Sequence, residues 1–191
     1  MIIGLTGRNG AGKGTVAEWF TTRGFRFTSL SDAIRRDLRA RGLEVTRDNL
    51  IAGGRRLRTE GGAGVLASRC LAYLAVEGGG DWIVDSIRNP AEVDVLRTAE
   101  GFELIEVCAD AEVRYDRVVL RARGGDATSF EEFMRQERAE LHSKEAAAQQ
   151  LVATAAMADR QVDNGATIDA LWNALAAAYP ALAARETKHD T

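Results

Sequence analysis

A glycine-rich segment near the amino terminus, residues 7–15, constrains the fold of this chain more than any other feature of its sequence. It reads GRNGAGKGT, and its first seven residues satisfy the pattern G-x-x-x-x-G-K. An apolar run that predicts a strand precedes it, and residues 12–22, with apolar side chains at helical spacing, follow it. Glycines are needed in such a loop because its backbone N–H groups must turn inward around a phosphate group, where side chains would obstruct them. The segment therefore predicts a phosphate-binding loop between a strand and a helix.

Lys13 and the start of the following helix give this loop its expected chemistry. The lysine supplies a compact cation to the β- and γ-phosphates of a nucleotide, while the amino terminus of the helix contributes its dipole. An ordinary glycine turn beside an exposed lysine is the alternative, and it does not account for the flanking strand and helix. The residues expected to bind the nucleotide are Gly7, Asn9, Gly10, Ala11, Gly12, Lys13, Gly14 and Thr15.

Short apolar runs alternate with helical patterns along most of the chain, and the segments between the runs are too long for hairpins. This alternation predicts an α/β fold in three layers, with a parallel sheet of about five strands and helices on both faces. Ligands of such sheets bind at the carboxyl ends of the strands, so the loops after Thr6, Leu30 and Asp85 should converge on one site. Strands are predicted at residues 2–6, 25–30, 82–85, 102–108 and 161–163.

The length of 191 residues predicts one principal domain, residues 1–180. We expect a helical acceptor-binding insert at about residues 31–79, interrupted at Gly53-Gly54 and at residues 61–64, and a short lid at about 121–138. Residues 31 and 32 are expected to cap the first helix of the insert, and residues 146–158 to be helical. The core is assigned to residues 1–30, 80–120 and 145–180, and residues 181–191, after Pro180, are expected to fray.

Composition and charge exclude several classes of protein. The formal charge of −3 gives no global field that would draw the chain to nucleic acid or to anionic lipid, although a local basic patch remains compatible with it. No run of about 18 apolar residues and no secretory leader is present, which predicts a cytoplasmic protein without a membrane partner. Cys70 and Cys108 lack metal-ligand spacing and are expected to be buried small side chains. Both a monomer and a homodimer fit the sequence.

The sequence G-K-G-T at residues 12–15 resembles the adenylate kinase group, and the chain as a whole is similar to nucleoside and deoxynucleoside monophosphate kinases, including dephospho-CoA kinase-like proteins with a short lid. The resemblance implies ATP and Mg²⁺ as cofactors. Gly14 stands where Ser or Thr usually follows the lysine, and in this group the next threonine contacts the α-phosphate. Thr15 and Asp85 are therefore the residues expected at a magnesium ion that is held largely through water.

Two further segments carry the resemblance on the acceptor side. Residues 31–35, SDAIR, are similar to a capped helix of the family whose arginine binds the acceptor phosphate, which assigns Asp32 and Arg35 to the acceptor. Residues 82–89, WIVDSIRN, resemble a strand-end aspartate followed by an arginine that clamps the acceptor, here Arg88. The alternatives are a solvated basic face around Arg35 and a helix cap at Asp85. Arg58, within the sequence RRLR at residues 55–58, is also assigned to the acceptor.

The lid is expected to bring arginines over the transferred phosphoryl group, where they neutralise charge and exclude water. Two or three of its six arginines are expected to contact phosphate, and the others to lie on a solvated helix. Asn164 begins a segment similar to the family's closing N-x-G-T loop beside the ATP base, the alternative being a simple turn. We assign catalysis to Lys13, Asp85, Arg121 and Arg123, and nucleotide binding to Arg117. The six lid arginines are Arg114, Arg117, Arg121, Arg123, Arg135 and Arg138.

These features together predict an ATP-dependent phosphotransferase that moves the γ-phosphate of ATP to a nucleotide, with a deoxynucleoside monophosphate as the leading acceptor. A hydroxyl acceptor would need a carboxylate base, for which Asp32 and Asp85 are the candidates. Three alternatives stay open. They are a DNA kinase acting on 5-hydroxymethyluracil, which would use the arginine clusters as a groove, a dephospho-CoA kinase, and a nucleotide-sensing NTPase module without an acceptor.

Overall fold

The computed structural model describes residues 1–121, 129–141 and 150–185, and these residues contain the parallel sheet that the sequence predicts. Its strands are β1 (Ile2–Thr6), β2 (Arg26–Ser29), β3 (Trp82–Asp85), β4 (Phe102–Cys108) and β5 (Arg160–Asp163). They pair in the order β2-β3-β1-β4-β5, and every pairing is parallel. The carboxyl ends of all five strands therefore meet at one edge of the sheet, where the loops that follow them form the site.

Helices cover both faces of this sheet and complete the predicted three-layer α/β fold. None of the helices in the described residues combines the length and apolar character needed to cross a lipid bilayer. In chain order the helices are α1 (Lys13–Thr21), α2 (Leu30–Ala40), α3 (Arg47–Gly61), α4 (Val65–Val76), α5 (Pro90–Leu96), α6 (Ala111–Arg121), α7 (Phe130–Leu141), α8 (Leu151–Ala155), α9 (Ile168–Ala178) and α10 (Pro180–Ala183).

Two separate apolar cores lie on the two faces of the sheet, because side chains alternate between the faces along each strand. On one face Ile3 and Leu5 of β1 pack with α1, α9 and α10 around Phe20. On the other face β3 packs with α2, α3, α4 and α5 around Trp82 and Leu66. The phosphate loop thus leads into a helix of the first core, whereas the predicted acceptor helices belong to the second.

The pair Gly53-Gly54 does not interrupt the helix, and that expectation was wrong. Both residues are buried in the middle of α3. A Cβ atom at Gly53 would lie 2.9 Å from Cγ2 of Ile34, and one at Gly54 would lie 3.1 Å from Cδ1 of the same side chain. The glycines therefore allow α3 to approach α2 closely, while the second expected break, at residues 61–64, does separate α3 from α4.

The start of α2 also differs from its prediction. Ser29 is the N-cap, and the side chain of Asp32 at the third helical position accepts from the backbone N–H of Ser29 to close a capping box. Strand β2 accordingly ends at Ser29, and Leu30 already belongs to the helix. Asp32 thus stabilises the helix start instead of being its cap.

The carboxyl-terminal part differs in two places. Pro180 begins α10, and Leu182 is buried against the first core, so residues 180–183 do not fray. Proline suits the first helical position because its missing N–H would have no intrahelical partner there. The helix expected over residues 146–158 is shorter than predicted, since α8 spans only Leu151–Ala155 and residues 150 and 156–158 are not helical. Residues 146–149 of that helix and residues 186–191 of the expected tail lie outside the described residues.

The close crossing of α2 and α3 predicts the sign of one substitution. Gly53→Ala should lower the free energy of unfolding, by up to about 2 kcal/mol, because the overpacking cost of about 1–3 kcal/mol outweighs the gain of about 1 kcal/mol in helix propensity. Urea denaturation measures the change, with the exposed neighbour Ala52→Gly as the control for propensity alone. A stabilised Gly53→Ala protein would show that this glycine is a hinge with room for a side chain.

Candidate active site

The loop between β1 and α1 is shaped by glycines whose surroundings leave no room for a side chain. Gly10 has φ 79°, and a Cβ atom there would collide with the backbone carbonyl of Arg114. Gly12 has φ 88°, and its Cβ would collide with the side-chain amide of Asn164. Both the left-handed backbone and the close neighbours therefore require glycine at these two positions. Arg114 and Asn164 therefore hold this loop closely from one side.

Lys13 lies folded against this loop. Its Nζ donates to the carbonyl oxygen of Gly7 at 2.8 Å and to that of Arg8 at 3.2 Å. It is the first residue of α1, whose N-cap is Gly12, and among the described residues no side chain caps this helix and no acidic residue lies in its first turn. The loop, the lysine and the uncapped helix start together form a positively polarised cradle that suits phosphate groups.

Asn164 lies at the phosphate loop, where its side chain supports the loop backbone. It follows β5, is buried, and its backbone N–H donates to the carbonyl oxygen of Cys108 at 2.7 Å. Its Nδ2 donates to the carbonyl oxygen of Ala11 at 2.9 Å, so the side chain ties the phosphate loop to the last strand. The contact shown is with protein backbone, and an interaction with the ATP base stays a prediction.

Three of the predicted lid arginines reach the loop from α6, namely Arg114, Arg117 and Arg121. Nη1 of Arg117 lies 3.6 Å from the position of a Cβ atom on Gly12, and this nitrogen is buried without a hydrogen-bond partner in the described part of the chain. Nη2 of Arg121 donates to Oδ1 of Asn9 at 3.3 Å. Arg135 and Arg138 are exposed on α7, and Arg123 lies outside the described residues. A buried guanidinium nitrogen without a hydrogen-bond partner beside a phosphate loop fits an anionic ligand.

Asp85 ends β3 beside Ser29 of β2 and lies at the same sheet edge as the loop. The helix cap proposed as the alternative is taken by Asn89, which forms a capping box with Glu92. Within the residues described, Oδ1 of Asp85 is buried without a hydrogen-bond partner, and Oδ2 accepts from Oγ of Ser86 at 3.2 Å. Ser86 has φ 66°, a conformation that non-glycine residues seldom adopt and that clusters at functional sites.

The carboxylate oxygen of Asp85 that lacks a hydrogen-bond partner among the described residues fits a hydrated magnesium ion. Mg²⁺ keeps several waters and is bound by one or two carboxylates together with phosphate oxygens of the substrate. Thr15 lies half-buried in the first turn of α1, two residues after Lys13. No group of three or more potential metal ligands of the His, Cys, Asp or Glu type occurs in the described ranges, so any metal here would depend on the nucleotide for its remaining ligands.

The predicted acceptor residues Asp32 and Arg35 are brought together at the start of α2. Nη1 of Arg35 donates to Oδ1 of Asp32 at 2.8 Å and to Oγ of Ser31 at 2.7 Å. The second oxygen of Asp32 accepts from the backbone N–H of Ser29 at 3.0 Å. Arg35 is about one-third exposed. Its guanidinium therefore lies, pre-oriented by Asp32, on the helix that follows the edge strand β2.

Arg58, which was predicted to bind the acceptor, is instead buried inside the protein. It is 5% exposed, and its Nε and Nη2 donate to Oε1 of Glu92 at 2.9 and 2.6 Å. Glu92 is 0% exposed, burial raises the pKa of its carboxyl, and the Arg58 guanidinium opposes that rise. This ion pair leaves Arg58 inside the protein instead of in the acceptor site.

The carboxylate of Glu92 also supports the loop that carries Arg88. Its Oε2 accepts from the backbone N–H groups of Arg88 and Asn89 at 2.9 and 3.1 Å. Arg88 itself is half-buried on the loop after β3. Sequence reasoning missed Glu92, although the Asn89-Pro90 start followed by a glutamate at the third helical position is a recognisable capping-box signal.

A second charged pair was also missed. Arg114 is 2% exposed and donates to both carboxylate oxygens of Glu137, which is 7% exposed. Sequence reasoning had placed Arg114 among the lid arginines, and nothing in the local sequence pattern joins residues on two different helices.

The expectation that both cysteines are buried is confirmed for one of them. Cys70 is buried, which raises the pKa of its thiol to about 12, whereas Cys108 is half-buried.

Comparison with known proteins gives a family and a fold. A protein-family model described as an AAA domain matches residues 3–141. A UPF0200 protein of Methanothermobacter thermautotrophicus is 32% identical over 142 residues, which cover 74% of this chain and 72% of the relative. A UPF0200/UPF0201 protein of Archaeoglobus fulgidus is 35% identical over 143 residues, which cover 73% of this chain and 44% of that longer relative.

Solved structures show the same fold at low sequence identity. TT1252 from Thermus thermophilus superimposes with a TM-score of 0.61 at 22% identity, covering 95% of this chain and 97% of the other. Shikimate kinase from Bacteroides thetaiotaomicron superimposes with a TM-score of 0.57 at 15% identity, covering 94% and 98%. These likenesses show a P-loop kinase-like fold. They do not show the narrower resemblance to nucleoside monophosphate kinases, which stays a prediction.

Because Arg58 is buried, its substitution should change the stability of the protein strongly. Arg58→Met should lower the free energy of unfolding by about 3–5 kcal/mol, because it leaves the Glu92 carboxylate buried without its cation. The double variant Arg58→Met, Glu92→Gln should recover part of that loss, since the amide is neutral and can still accept from the loop N–H groups. Urea denaturation of both variants, with the exposed Glu60→Ala as a surface control, measures this. A change below about 0.5 kcal/mol for Arg58→Met would indicate a surface arginine.

Proposed function

This chain belongs to the UPF0200 family, and we propose that it is an ATP-dependent phosphotransferase that moves the γ-phosphate of ATP to the phosphate group of a nucleotide. The observation that carries the proposal is a pair of buried side-chain atoms without hydrogen bonds, one from a guanidinium and one from a carboxylate, on the loop side of the sheet. Nη1 of Arg117 and Oδ1 of Asp85 both lack a hydrogen-bond partner within the described residues. Because buried polar atoms without hydrogen bonds are costly, this arrangement favours a ligand that supplies both phosphate oxygens and a hydrated cation.

Magnesium-bound ATP is a ligand of that kind. In the proposed complex, Lys13 and the backbone of the loop hold the β- and γ-phosphates, and Asp85 with Thr15 holds the waters of the magnesium ion. Arg117, with Arg121 and Arg123 as further candidates, neutralises the charge that develops on the transferred group. Phosphoryl transfer needs little covalent help from the protein, so positioning and charge neutralisation of this kind are sufficient for catalysis.

The acceptor is proposed to be a phosphate and not a hydroxyl, with a deoxynucleoside monophosphate as the leading candidate. A hydroxyl acceptor needs a carboxylate base, and Asp32 is already engaged by the Ser29 N–H and by Arg35. Asp85 is assigned to the magnesium ion. A phosphate oxygen is ionised at pH 7 and needs no base, and the guanidinium groups of Arg35 and Arg88 are suited to bind it. In the reaction the bond from the γ-phosphorus to its bridging oxygen breaks, an acceptor oxygen bonds to that phosphorus, and ADP leaves.

The DNA-kinase alternative receives less support from the arginines of α3. It would need the cluster at residues 55–58, together with Arg35, Arg36, Arg39 and Arg41, to form a groove for the phosphate backbone. Arg58 is buried in its ion pair with Glu92, and Arg56 pairs with Asp37 and Glu60. Two of the three arginines in the cluster are therefore already neutralised by carboxylates. Dephospho-CoA and a sensor without an acceptor are separated from the leading proposal by the assay that follows.

The test is ATP consumption with product analysis, using purified protein, magnesium and one acceptor at a time. The acceptors are the four deoxynucleoside monophosphates, dephospho-CoA and duplex DNA that contains 5-hydroxymethyluracil. We expect turnover on a monophosphate, loss of that turnover in Lys13→Ala, and a fall of roughly 10³-fold in kcat for Arg117→Met. Arg26→Met, at the opposite end of the sheet, is the control and should retain wild-type turnover.

Each other outcome of this assay has a defined meaning. Phosphorylation of DNA alone, or of dephospho-CoA alone, would refute the phosphate acceptor. ATP hydrolysis that no acceptor accelerates would favour the sensor. Turnover that survives Lys13→Ala and Arg117→Met unchanged would refute the assignment of the phosphate loop itself.

The role of Asp85 predicts a specific dependence on magnesium. Asp85→Asn should raise the magnesium concentration needed for half-maximal ATP turnover by about 10–100-fold, the range found when a supporting carboxylate is removed from a metal site. Titration of magnesium at a fixed ATP concentration measures the shift, and Asp81→Asn, at the amino-terminal end of β3, is the control. An unchanged magnesium requirement in Asp85→Asn would show that the carboxylate of Asp85 serves another purpose.

A further inference from the structure

Glu137, on α7, is a buried carboxylate for which the proposed transfer reaction has no use. Its Oε2 accepts from Nη1 of Arg114 at 2.7 Å, and its Oε1 accepts from Nη2 of the same arginine at 3.2 Å. Oε1 also accepts from Nη1 of Arg8 at 2.6 Å. One carboxylate on α7 is therefore shared between an arginine of α6 and an arginine of the phosphate loop. Burying such a group is costly unless its partners are well placed, as they are here.

The same arginine of α6 contacts the phosphate loop directly. Nη1 of Arg114 donates to the carbonyl oxygen of Asn9 at 3.3 Å, and its Nε donates to the carbonyl oxygen of Ala109 at 2.9 Å. The backbone carbonyl of Arg114 lies against Gly10, which is why that position has no room for a Cβ atom. Residues 8, 9 and 10, the outer turn of the loop, are thus each in contact with Arg114 or Glu137.

Helices α6 and α7 form a firm support for these contacts. Tyr115 lies edge-on to Phe130, with ring centroids 5.5 Å apart, and packs against Phe133 at 5.8 Å. Val118 and Phe133 are buried between the helices, and the guanidinium of Arg114 lies 5.4 Å from the Phe133 ring. Because aromatic packing fixes the relative position of the two helices, the carboxylate of Glu137 is held at a defined distance from the loop.

We infer that Glu137 is a positioning residue for the phosphate loop: through Arg8 and Arg114 it sets the direction of the loop N–H groups and thereby the affinity for a nucleoside triphosphate. Glu137 acts through these arginines and does not itself contact the nucleotide. The inference rests on the proposed function only in taking a triphosphate as the ligand of the loop. Small displacements of donors that must converge on one phosphate weaken all of their hydrogen bonds together.

The test compares binding of two ligands by calorimetry, the β,γ-imido analogue of ATP with magnesium, and adenosine. A structural defect weakens both ligands, whereas a displaced phosphate loop weakens only the triphosphate. We expect Glu137→Gln to raise the dissociation constant of the triphosphate analogue at least tenfold and to leave that of adenosine within twofold. The matched control is Glu103→Gln, a carboxylate at the opposite end of β4 that accepts from Arg160 and from Tyr179, and both its constants should stay at wild-type values.

Arg8→Met provides a second variant that keeps the buried pair of Arg114 and Glu137 intact. Arg8 is half-exposed, so its removal should be compatible with folding, and we expect a loss of at least threefold for the triphosphate alone. If Arg8 acts through Glu137, adding Arg8→Met to Glu137→Gln should cause little further loss. Fully additive losses would show that Arg8 contacts the phosphates directly and would overturn its part in the inference.

The outcomes separate this inference from the proposed function. Unchanged triphosphate binding in Glu137→Gln, or an equal loss for adenosine and the triphosphate, overturns the positioning role. If Glu137→Gln does not fold, unchanged triphosphate binding in Arg8→Met overturns it. Wild-type protein that binds the triphosphate analogue but transfers no phosphate refutes the proposed reaction and leaves the positioning role standing. Wild-type protein that binds no triphosphate refutes both.

Discussion

The fit of the phosphate loop into its surroundings is the constraint on which the other features of the site depend. The loop turns in a space bounded on the outside by the backbone of Arg114 and by the side chain of Asn164, so that Gly10 and Gly12 have no room for side chains. Those neighbours come from α6 and from the end of β5, more than 100 residues away along the chain, as the separation of 153 between Asn164 and Ala11 shows. The sheet order, with β1 beside β4 and β4 beside β5, is what brings them to the loop.

Buried ion pairs hold the two sides of the site in a similar way. On the proposed acceptor side Glu92 fixes the backbone at Arg88 and Asn89 and is neutralised by Arg58. On the proposed nucleotide side Glu137 pairs with Arg8 and Arg114. In both pairs the carboxylate lies on a helix and reaches a loop that follows a central strand. A charge that is buried and paired has one favourable geometry, so these pairs specify the position of each loop more narrowly than apolar packing alone would.

Sequence reasoning predicted a parallel sheet of about five strands and a phosphate loop between a strand and a helix, because both leave a local signal. The apolar runs of β1, β3 and β4 and the G-x-x-x-x-G-K spacing are visible within a few residues. What could not be predicted depends on contacts between distant segments. Arg58 and Glu92 are 34 residues apart, and Arg114 and Glu137 are 23 apart.

Residue type alone also failed to predict the role of residues whose role depends on their burial. Arg58 and Arg35 lie in equally arginine-rich segments, yet Arg58 is enclosed by Glu92 whereas Arg35 lies at the helix surface. Gly53 and Gly54 look like a helix break, although their purpose is the close approach of α3 to Ile34 of α2. In each case the deciding quantity is the distance between two helices, which no pattern in one of them encodes.

The division of the apolar interior into two cores has a consequence for how this protein could change. The phosphate loop and α1 rest on one face of the sheet, while the helices that carry the proposed acceptor residues rest on the other. Substitutions that reshape the second core leave the packing under the phosphate loop untouched, because the backbone of the sheet lies between them. During evolution, substitutions in α2, α3 and α4 could therefore exchange one acceptor for another while the phosphate donor stays the same. The sheet separates the half of the site that binds the donor from the half that can change.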